Sequence, residues 1–308
     1  MNMKKITTHI YIVAIFFAVA FVIGSFFDYQ INSALFHNND TFGLVMSSIG
    51  TIPGYGILSF MGGGLLFFGL KKEFPHVAWK IVSFVLAAVL FGSAIFFSGR
   101  EFFGINGFYN AINPIFGYLI ILPVEVGITI LVYMIAKKSD NDKLWIVYFI
   151  IAVAFLIALV AGVTLFKSIF HRPRFRAIMT SGISGLDYHA WYSPCSNYKD
   201  FIAAGVDKDN FKSFPSGHAG TASAFMMFMI FLPYINSGYK KYQIPLFYGG
   251  FIWLVLIAFS RMYVGAHFLS DVSMGALLPI LCFYIGKVVI DKTDYFTKKK
   301  EKIEESKE

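Results

Sequence analysis

Long apolar runs separated by short polar segments dominate the chain. Eight of these runs are long enough, or nearly so, to cross the roughly 30 Å hydrocarbon core of a bilayer as helices. The second run is short and glycine-rich, which makes it the weakest of the eight. The pattern predicts an all-α fold, a polytopic membrane helix bundle with about eight transmembrane helices. The runs lie at 8–27, 54–70, 78–98, 115–136, 144–166, 218–235, 244–260 and 268–290.

The composition supports a membrane location and excludes other classes. Of the 308 residues, 57% are apolar and only 14% are charged, against roughly 25% charged in soluble domains. A disordered chain would have the opposite bias. Cys195 and Cys282 are too few for a disulfide framework and are not expected to pair. No feature indicates an obligatory protein partner, so the lipid bilayer is the predicted surrounding.

The start of the chain admits two interpretations. MNMKK followed by an apolar stretch resembles a signal peptide, and Ala18-Val19-Ala20 could serve as its cleavage site. The apolar run continues through Phe27, however, which favours an uncleaved first span.

The charges predict how the spans are oriented. The net charge of +8 would suggest nucleic acid in a soluble protein, but here it indicates lysine-rich cytoplasmic loops and no nucleic-acid partner. With the N-terminus inside, the inner segments hold most of the lysines, so the protein is predicted to be multi-pass in the plasma membrane, with both termini cytoplasmic. All five arginines fall outside, at Arg100, Arg172, Arg174, Arg176 and Arg261. Guanidinium groups suit bidentate phosphate binding, although chance in a lysine-rich chain is the alternative.

The chain divides into three predicted parts. Residues 1–143 form N-terminal transmembrane helices, residues 144–290 form a membrane core, and residues 291–308 form a charged cytoplasmic tail. The core includes a long outer loop at 172–212, in which Trp191 and Tyr192 suit an interfacial position. We expect this loop to cover or shape the entrance to a site.

Candidate chemistry concentrates at three outer span junctions. The second junction reads Pro215-Ser216-Gly217-His218. Proline suits helix entry, and the uncovered amides of a helix N-terminus bind anions. His218 would then lie beside the anion and could protonate a leaving oxygen.

The other two junctions supply a nucleophile and cations. His267 and Asp271 are spaced i,i+4, which predicts one shared helix face with the carboxylate orienting the imidazole. Lys167, the arginines near Arg174, and Arg261 would neutralise phosphoryl oxygens. Each signal alone has a plainer explanation: an interfacial His is usually just solvated, and a His–Asp pair can be a helix contact or half of a metal site. A metal would need further ligands, and the other outer histidines (His37, His171 and His189) lack convincing spacing.

The three clusters together resemble the signature of the type 2 phosphatidic acid phosphatase (PAP2) superfamily, which reads K-x6-R-P, then P-S-G-H, then S-R-x5-H-x3-D. The second motif matches in full, and so does the third, as Ser260-Arg261, His267 and Asp271. In the first, Lys167 plus six residues reaches Arg174, but Phe175 replaces the proline. The alternative Arg172-Pro173 keeps Arg-Pro and shortens the spacing; we favour Arg174 and leave the choice open. The resemblance covers about 144–290.

The resemblance implies a mechanism and a class of substrate. His267 would attack phosphorus to form a phosphohistidine, Asp271 would orient it, and His218 would protonate the leaving oxygen. The phosphoryl group would be held by Lys167, Arg174, Ser216, Gly217 and Arg261. No metal or other cofactor is expected. The implied substrate is a lipid phosphate, as monoester or pyrophosphate, hydrolysed at the outer membrane face.

Alternatives to this interpretation remain. A lipid phosphotransferase would use the same residues with an alcohol as acceptor. A transporter with an anion site is the non-enzymatic alternative, although the polar groups cluster at one surface rather than along a pathway. Glu125, beside Pro123 within the fourth run, is an intramembrane carboxylate with either a functional or a structural role.

Overall fold

The computed structural model describes residues 4–38, 40–71, 76–103, 114–137 and 144–305. These residues form α-helices joined by short helical turns, and no strand occurs among them. The α-helices are α1 (Lys4–Leu35), α2 (Thr41–Ile49), α3 (Ile52–Lys71), α4 (Val77–Phe103), α5 (Pro114–Lys137), α6 (Leu144–Phe155), α7 (Thr164–Phe170), α8 (Phe175–Thr180), α9 (Tyr198–Ala203), α10 (Gly217–Phe228), α11 (Leu232–Ile235), α12 (Gln243–Tyr263) and α13 (Leu269–Glu305).

The predicted membrane bundle is confirmed. In the described part of the chain, eight helical segments are long and apolar enough to cross a membrane, and each contains most of one predicted run. The second span is longer than predicted, because α2 precedes α3 and only Gly50 and Thr51 separate them. The fifth span is not a uniform α-helix: residues Leu156–Val163, between α6 and α7, wind as a π-helix. Such wide turns are frequent at functional sites.

Helix α10 lies near the centre of the bundle, in contact with α3, α12 and α13. Small residues allow the backbones to approach closely, as at other membrane helix crossings. A Cβ on Gly275 of α13 would collide with the carbonyl oxygen of Ser216, and a Cβ on Gly54 of α3 would lie 2.5 Å from the carbonyl oxygen of Thr221. The start of α10 is therefore surrounded by other helices rather than exposed to lipid.

The helices before residue 143 pack directly on those of the predicted core. Helix α1 contacts α13, and α3 contacts both α10 and α6. The intramembrane Glu125 lies in α5, is 0% exposed, and accepts a hydrogen bond of 3.0 Å from Ser98 Oγ of α4. That contact links two helices of the N-terminal half.

The loop at 172–212 forms a small folded cap. Helices α8 and α9 and a 3₁₀ turn at Lys208–Phe211 surround a cluster that includes Leu186, Cys195 and Phe201. Trp191 Nε1 donates to Ser25 Oγ of α1 at 2.8 Å, which holds the cap against the bundle. Cys195 in this loop and Cys282 in α13 are both free thiols, as expected.

Candidate functional site

The three sequence motifs meet around one cavity of about 1170 Å³. The first motif contributes the end of α7 and the residues before α8, the second the start of α10, and the third the turn between α12 and α13. Six of the eight predicted site residues line the cavity: Lys167, Arg174, Gly217, His218, Arg261 and His267. The other two, Ser216 and Asp271, are 0% exposed and support the residues that line it.

His267 is held in one tautomer. Its Nδ1 lies 2.6 Å from the carbonyl oxygen of Ser213, which can only accept, so Nδ1 carries the hydrogen and Nε2 keeps its lone pair. Burial lowers the pKa of His267 to about 3, with the nearby cations Arg174 and Lys167 adding to the effect and Asp271 opposing it. The imidazole is therefore neutral, which is the form that a nucleophile requires.

The relation between His267 and Asp271 differs from the predicted one. His267 lies in the turn before α13 rather than on the helix, so the shared helix face is wrong. Asp271 Oδ2 is 3.8 Å from His267 Nδ1, and it accepts hydrogen bonds from Ser213 Oγ at 2.5 Å and from the amide of Phe268 at 2.8 Å. Ser213 thus connects the carboxylate to the imidazole, because its carbonyl contacts His267 and its hydroxyl contacts Asp271.

Arg172 and Arg174, two residues apart, have different environments. Arg172 is 1% exposed and all five of its N–H donors are engaged by the protein. Its acceptors are Asp271 Oδ1 at 2.6 Å, Ser270 Oγ at 2.8 Å, Asp28 Oδ2 at 2.9 Å, the His189 carbonyl at 2.8 Å and Tyr188 Oη at 3.3 Å.

Arg174, in contrast, lines the cavity, and its Nε has no hydrogen-bond partner among the described residues. Arg261 is similar, because its Nε also lacks a partner in that part of the chain and its Nη1 makes only a long 3.5 Å contact with the Gly43 carbonyl. Buried donors without acceptors are costly. Both guanidinium groups are therefore available for an anion in the cavity.

The start of α10 provides further donors. Ser216 caps the helix by accepting from the amide of Ala219 at 3.3 Å, and its own amide donates to the Asp271 carbonyl at 2.9 Å. A Cβ added to Gly217 would lie 3.6 Å from Lys167 Nζ, so the ammonium group is next to the first amides of the helix. A helix N-terminus and a lysine at one place form an anion-binding site.

His218 follows at the cavity wall. Its Nε2 lies 3.1 Å from the carbonyl oxygen of Ser47 and 3.6 Å from Glu101 Oε2. The carbonyl fixes the hydrogen on Nε2, so Nδ1 is the nitrogen left for another partner. Glu101 belongs to α4 and lines the same cavity.

Away from the charged end, the cavity is apolar. It extends along helices α3, α4 and α6 and the π-helix, which belong to segments long and apolar enough to cross a membrane. On α4 the lining positions run from Glu101 back to Leu86, about 22 Å of helix at 1.5 Å per residue. The other apolar lining residues on these helices include Leu58, Met61, Leu65, Ala152, Phe155, Leu156 and Leu159.

Sequence reasoning missed three residues of this arrangement, namely Asp28, Glu101 and Ser213. Asp28 lies one residue beyond the first predicted run, 8–27, and only the longer span of the structure makes it an intramembrane carboxylate like Glu125. Glu101 lies at the end of a span beside Arg100, where a charge is ordinary. Ser213 contacts His267 through its backbone carbonyl, for which no side-chain signal exists. Among the described residues, no three metal-ligating side chains come together.

Comparison with known proteins gives matches over part of the chain. Rat sphingosine-1-phosphate phosphatase 1 is 37% identical over 87 residues, which are 27% of this chain and 19% of that protein. The mouse protein of the same name is 33% identical over 124 residues, 39% of this chain and 27% of its own length. Phosphatidylglycerophosphatase B of Bacillus subtilis (strain 168) is 34% identical over 92 residues, 28% of this chain and 43% of that protein.

The chain therefore spans less than half the length of each of these relatives. No solved structure matches it. The family model for the PAP2 superfamily matches residues 143–294, which include all three motifs and every predicted site residue. The C-terminal half of this chain, residues 143–294, belongs to the PAP2 superfamily.

Proposed function

We propose that this protein is an integral membrane phosphatase that hydrolyses a lipid phosphate ester at the outer membrane face, through a phosphohistidine intermediate and without a metal. The observation that carries the proposal is the shape of the cavity. One end holds the motif cations Lys167, Arg174 and Arg261 together with His218 and His267, and the remainder is an apolar passage between membrane helices. A phosphate joined to an acyl chain fits both parts, whereas a soluble phosphate uses only the first.

In the first step, the Nε2 lone pair of His267 forms a bond to phosphorus. The bond from phosphorus to the leaving oxygen breaks, its electron pair stays on that oxygen, and protonated His218 donates the proton through Nδ1. The three remaining phosphoryl oxygens are stabilised by Lys167, Arg174 and Arg261, with the Gly217 amide as a further donor. These fixed cations take the electrostatic part that Mg²⁺ plays in other phosphoryl transfers.

In the second step, a water molecule attacks the phosphohistidine. His218, now neutral, takes a proton from this water while the bond from phosphorus to His267 Nε2 breaks. Inorganic phosphate leaves, His267 is again neutral, and His218 is again protonated. The hydrogen bond from His267 Nδ1 to Ser213 holds the ring in place through both steps.

The substrate is proposed to be a lipid phosphate monoester. Support comes from the names of the similar proteins, a sphingosine-1-phosphate phosphatase and a phosphatidylglycerophosphatase, both phosphatases of lipid phosphates. The outer orientation, with cytoplasmic termini in the plasma membrane, is supported by the lysine distribution.

The experiment is phosphate release by the purified full chain in detergent with excess EDTA. Phosphatidate, phosphatidylglycerol phosphate, sphingosine-1-phosphate and undecaprenyl pyrophosphate are the substrates. His267→Asn is the variant, and His37→Asn is the matched control, since His37 is exposed and does not line the cavity. We expect EDTA-resistant release from at least one monoester by the wild type and H37N, and none by H267N.

Two further results separate the alternatives. Reactions with a substrate radiolabelled in its phosphate group, quenched with base, are expected to give labelled protein. The label should be lost in acid, because phosphohistidine is acid-labile, and H267N is expected to give no labelled protein. Full activity of H267N would reject the mechanism. Consumption of lipid phosphate with a new lipid product and no free phosphate would instead identify a phosphotransferase.

A further inference from the structure

Helix α1 contacts the third motif with one of its faces, although it lies outside the residues matched to the PAP2 superfamily. Gly24, Asp28 and Asn32 are spaced four apart and so share this face. A Cβ on Gly24 would lie 2.5 Å from the Ser270 amide, and Asn32 Nδ2 donates to the His267 carbonyl at 3.1 Å. The face is therefore fitted to the turn that carries the nucleophile.

Asp28 is the charged member of that face. Its Oδ1 accepts from the Ser270 amide at 3.0 Å, and its Oδ2 accepts from Ser270 Oγ and from Arg172 Nη2, the latter at 2.9 Å. Asp28 is 1% exposed and does not line the cavity. It reaches the reaction only through Arg172 and Ser270.

The charges of this cluster explain why a second carboxylate is needed. When His267 attacks, its ring becomes positively charged, and Asp271 is the nearby group that can stabilise it. Arg172, 2.6 Å from Asp271 Oδ1, by itself would cancel that negative charge. With Asp28 on the other side of Arg172, the buried group of two carboxylates and one guanidinium keeps a net charge of −1.

We infer that Asp28 is a positioning residue for phosphoryl transfer, which compensates the charge of Arg172 so that Asp271 can stabilise the imidazolium form of His267. The inference rests on the proposed phosphohistidine mechanism. It makes α1 part of the active site rather than a helix that only completes the bundle.

The test compares Asp28→Asn with the double variant D28N/R172Q in the phosphatase assay. D28N leaves Arg172 opposite Asp271 alone, a net charge of zero, and we expect kcat to fall about 10- to 100-fold with KM within about twofold, as for other outer partners of active-site groups. D28N/R172Q returns the cluster to −1, and the amide introduced by R172Q can still donate to Asp271. We therefore expect kcat of the double variant to be at least about tenfold higher than kcat of D28N.

Glu125→Gln is the matched control, because Glu125 is an equally buried membrane carboxylate that does not line the cavity. It is expected to keep wild-type kcat. If the role of Asp28 is purely structural, kcat of the double variant will be no higher than kcat of D28N. A double variant whose kcat does not exceed that of D28N, or a D28N variant with wild-type kcat, would overturn the inference.

Folding is checked by thermal unfolding of each purified variant. If D28N does not fold, D28N/R172Q carries the test alone, since it removes the ion pair as a unit. It is expected to stay within about tenfold of wild-type kcat, and a loss as large as that of Asp271→Asn would refute the inference. The H267N variant separates a failure of the proposed function from a failure of this inference. An active H267N rejects the proposed function, whereas an inactive H267N together with wild-type kcat for D28N rejects only the role of Asp28.

Discussion

Replacing the two arginines of the first motif by alanine, one at a time, should change different properties of the protein: catalysis for Arg174 and stability for Arg172. Arg174 lines the cavity and its Nε has no partner among the described residues, so it is free to bind a phosphoryl oxygen. Loss of one preorganised donor to a developing charge typically costs about 2.7–4 kcal/mol, or about 10²- to 10³-fold in rate. We expect R174A to lose that much kcat/KM while its unfolding temperature stays close to that of the wild type.

Arg172→Ala is expected to lower stability first. It leaves Asp28 and Asp271, both 0% exposed in their side chains, without their shared cation. Removing one partner of a buried ion pair costs about 3–5 kcal/mol, and the other hydrogen bonds of the guanidinium group are lost with it. R172A should therefore unfold at clearly lower temperature and denaturant concentration, and any loss of activity should accompany that loss of folded protein.

The assay measures both quantities on the same preparations. Thermal unfolding in detergent gives the stability, and initial rates of phosphate release give kcat/KM for the folded fraction. Arg176→Ala is the matched control, because Arg176 lies in the same segment, does not line the cavity, and its Nε donates a long 3.4 Å hydrogen bond to Asn210 Oδ1. An R174A variant with wild-type kcat/KM, or an R172A variant with unchanged stability, would contradict this assignment.

Three other predictions follow from the cavity and the cap. Ala152→Phe, which fills the apolar passage, should displace two or three methylenes of a long tail, about 2 kcal/mol or roughly 30-fold in KM, and leave short-chain phosphates unaffected; equal effects on both would argue against a tail in the passage. Glu101→Gln should lower kcat about tenfold, equivalent to about 1.4 kcal/mol, because the carboxylate 3.6 Å from His218 supports its protonated form; unchanged kinetics would remove Glu101 from the mechanism. Tyr192→Cys, at a 62% exposed position of the cap, should react with an impermeant thiol reagent in intact cells when the two native cysteines are replaced by serine, and labelling only after lysis would place the site inside.

Much of the fold could be predicted from local sequence. Hydropathy located all eight spans, because a helix in lipid must be apolar for about 20 residues whatever it packs against. It did not locate the break between α2 and α3 or the π-helix at Leu156–Val163, since both depend on packing with neighbouring helices and leave the average hydropathy unchanged.

The candidate site shows the same division. The motifs named six of the residues that line the charged end of the cavity, because their chemical types and spacing are visible in the chain. They could not decide between Arg172 and Arg174, since both are arginines near Lys167. Only their surroundings separate them, through the five acceptors around Arg172 and the open cavity beside Arg174.

The sequence by itself determined a membrane helix bundle with cations and histidines grouped at one side, because hydrophobicity and side-chain chemistry are properties of single residues. The tertiary structure decided which of these groups meet. It gave His267 the Ser213 carbonyl as its direct partner, and it brought Asp28 from α1 to the ion pair of Arg172 and Asp271. Asp28 also contacts Ser270, which lies 242 positions further along the chain. The charges of such distant residues interact strongly only because the folded bundle excludes water between them.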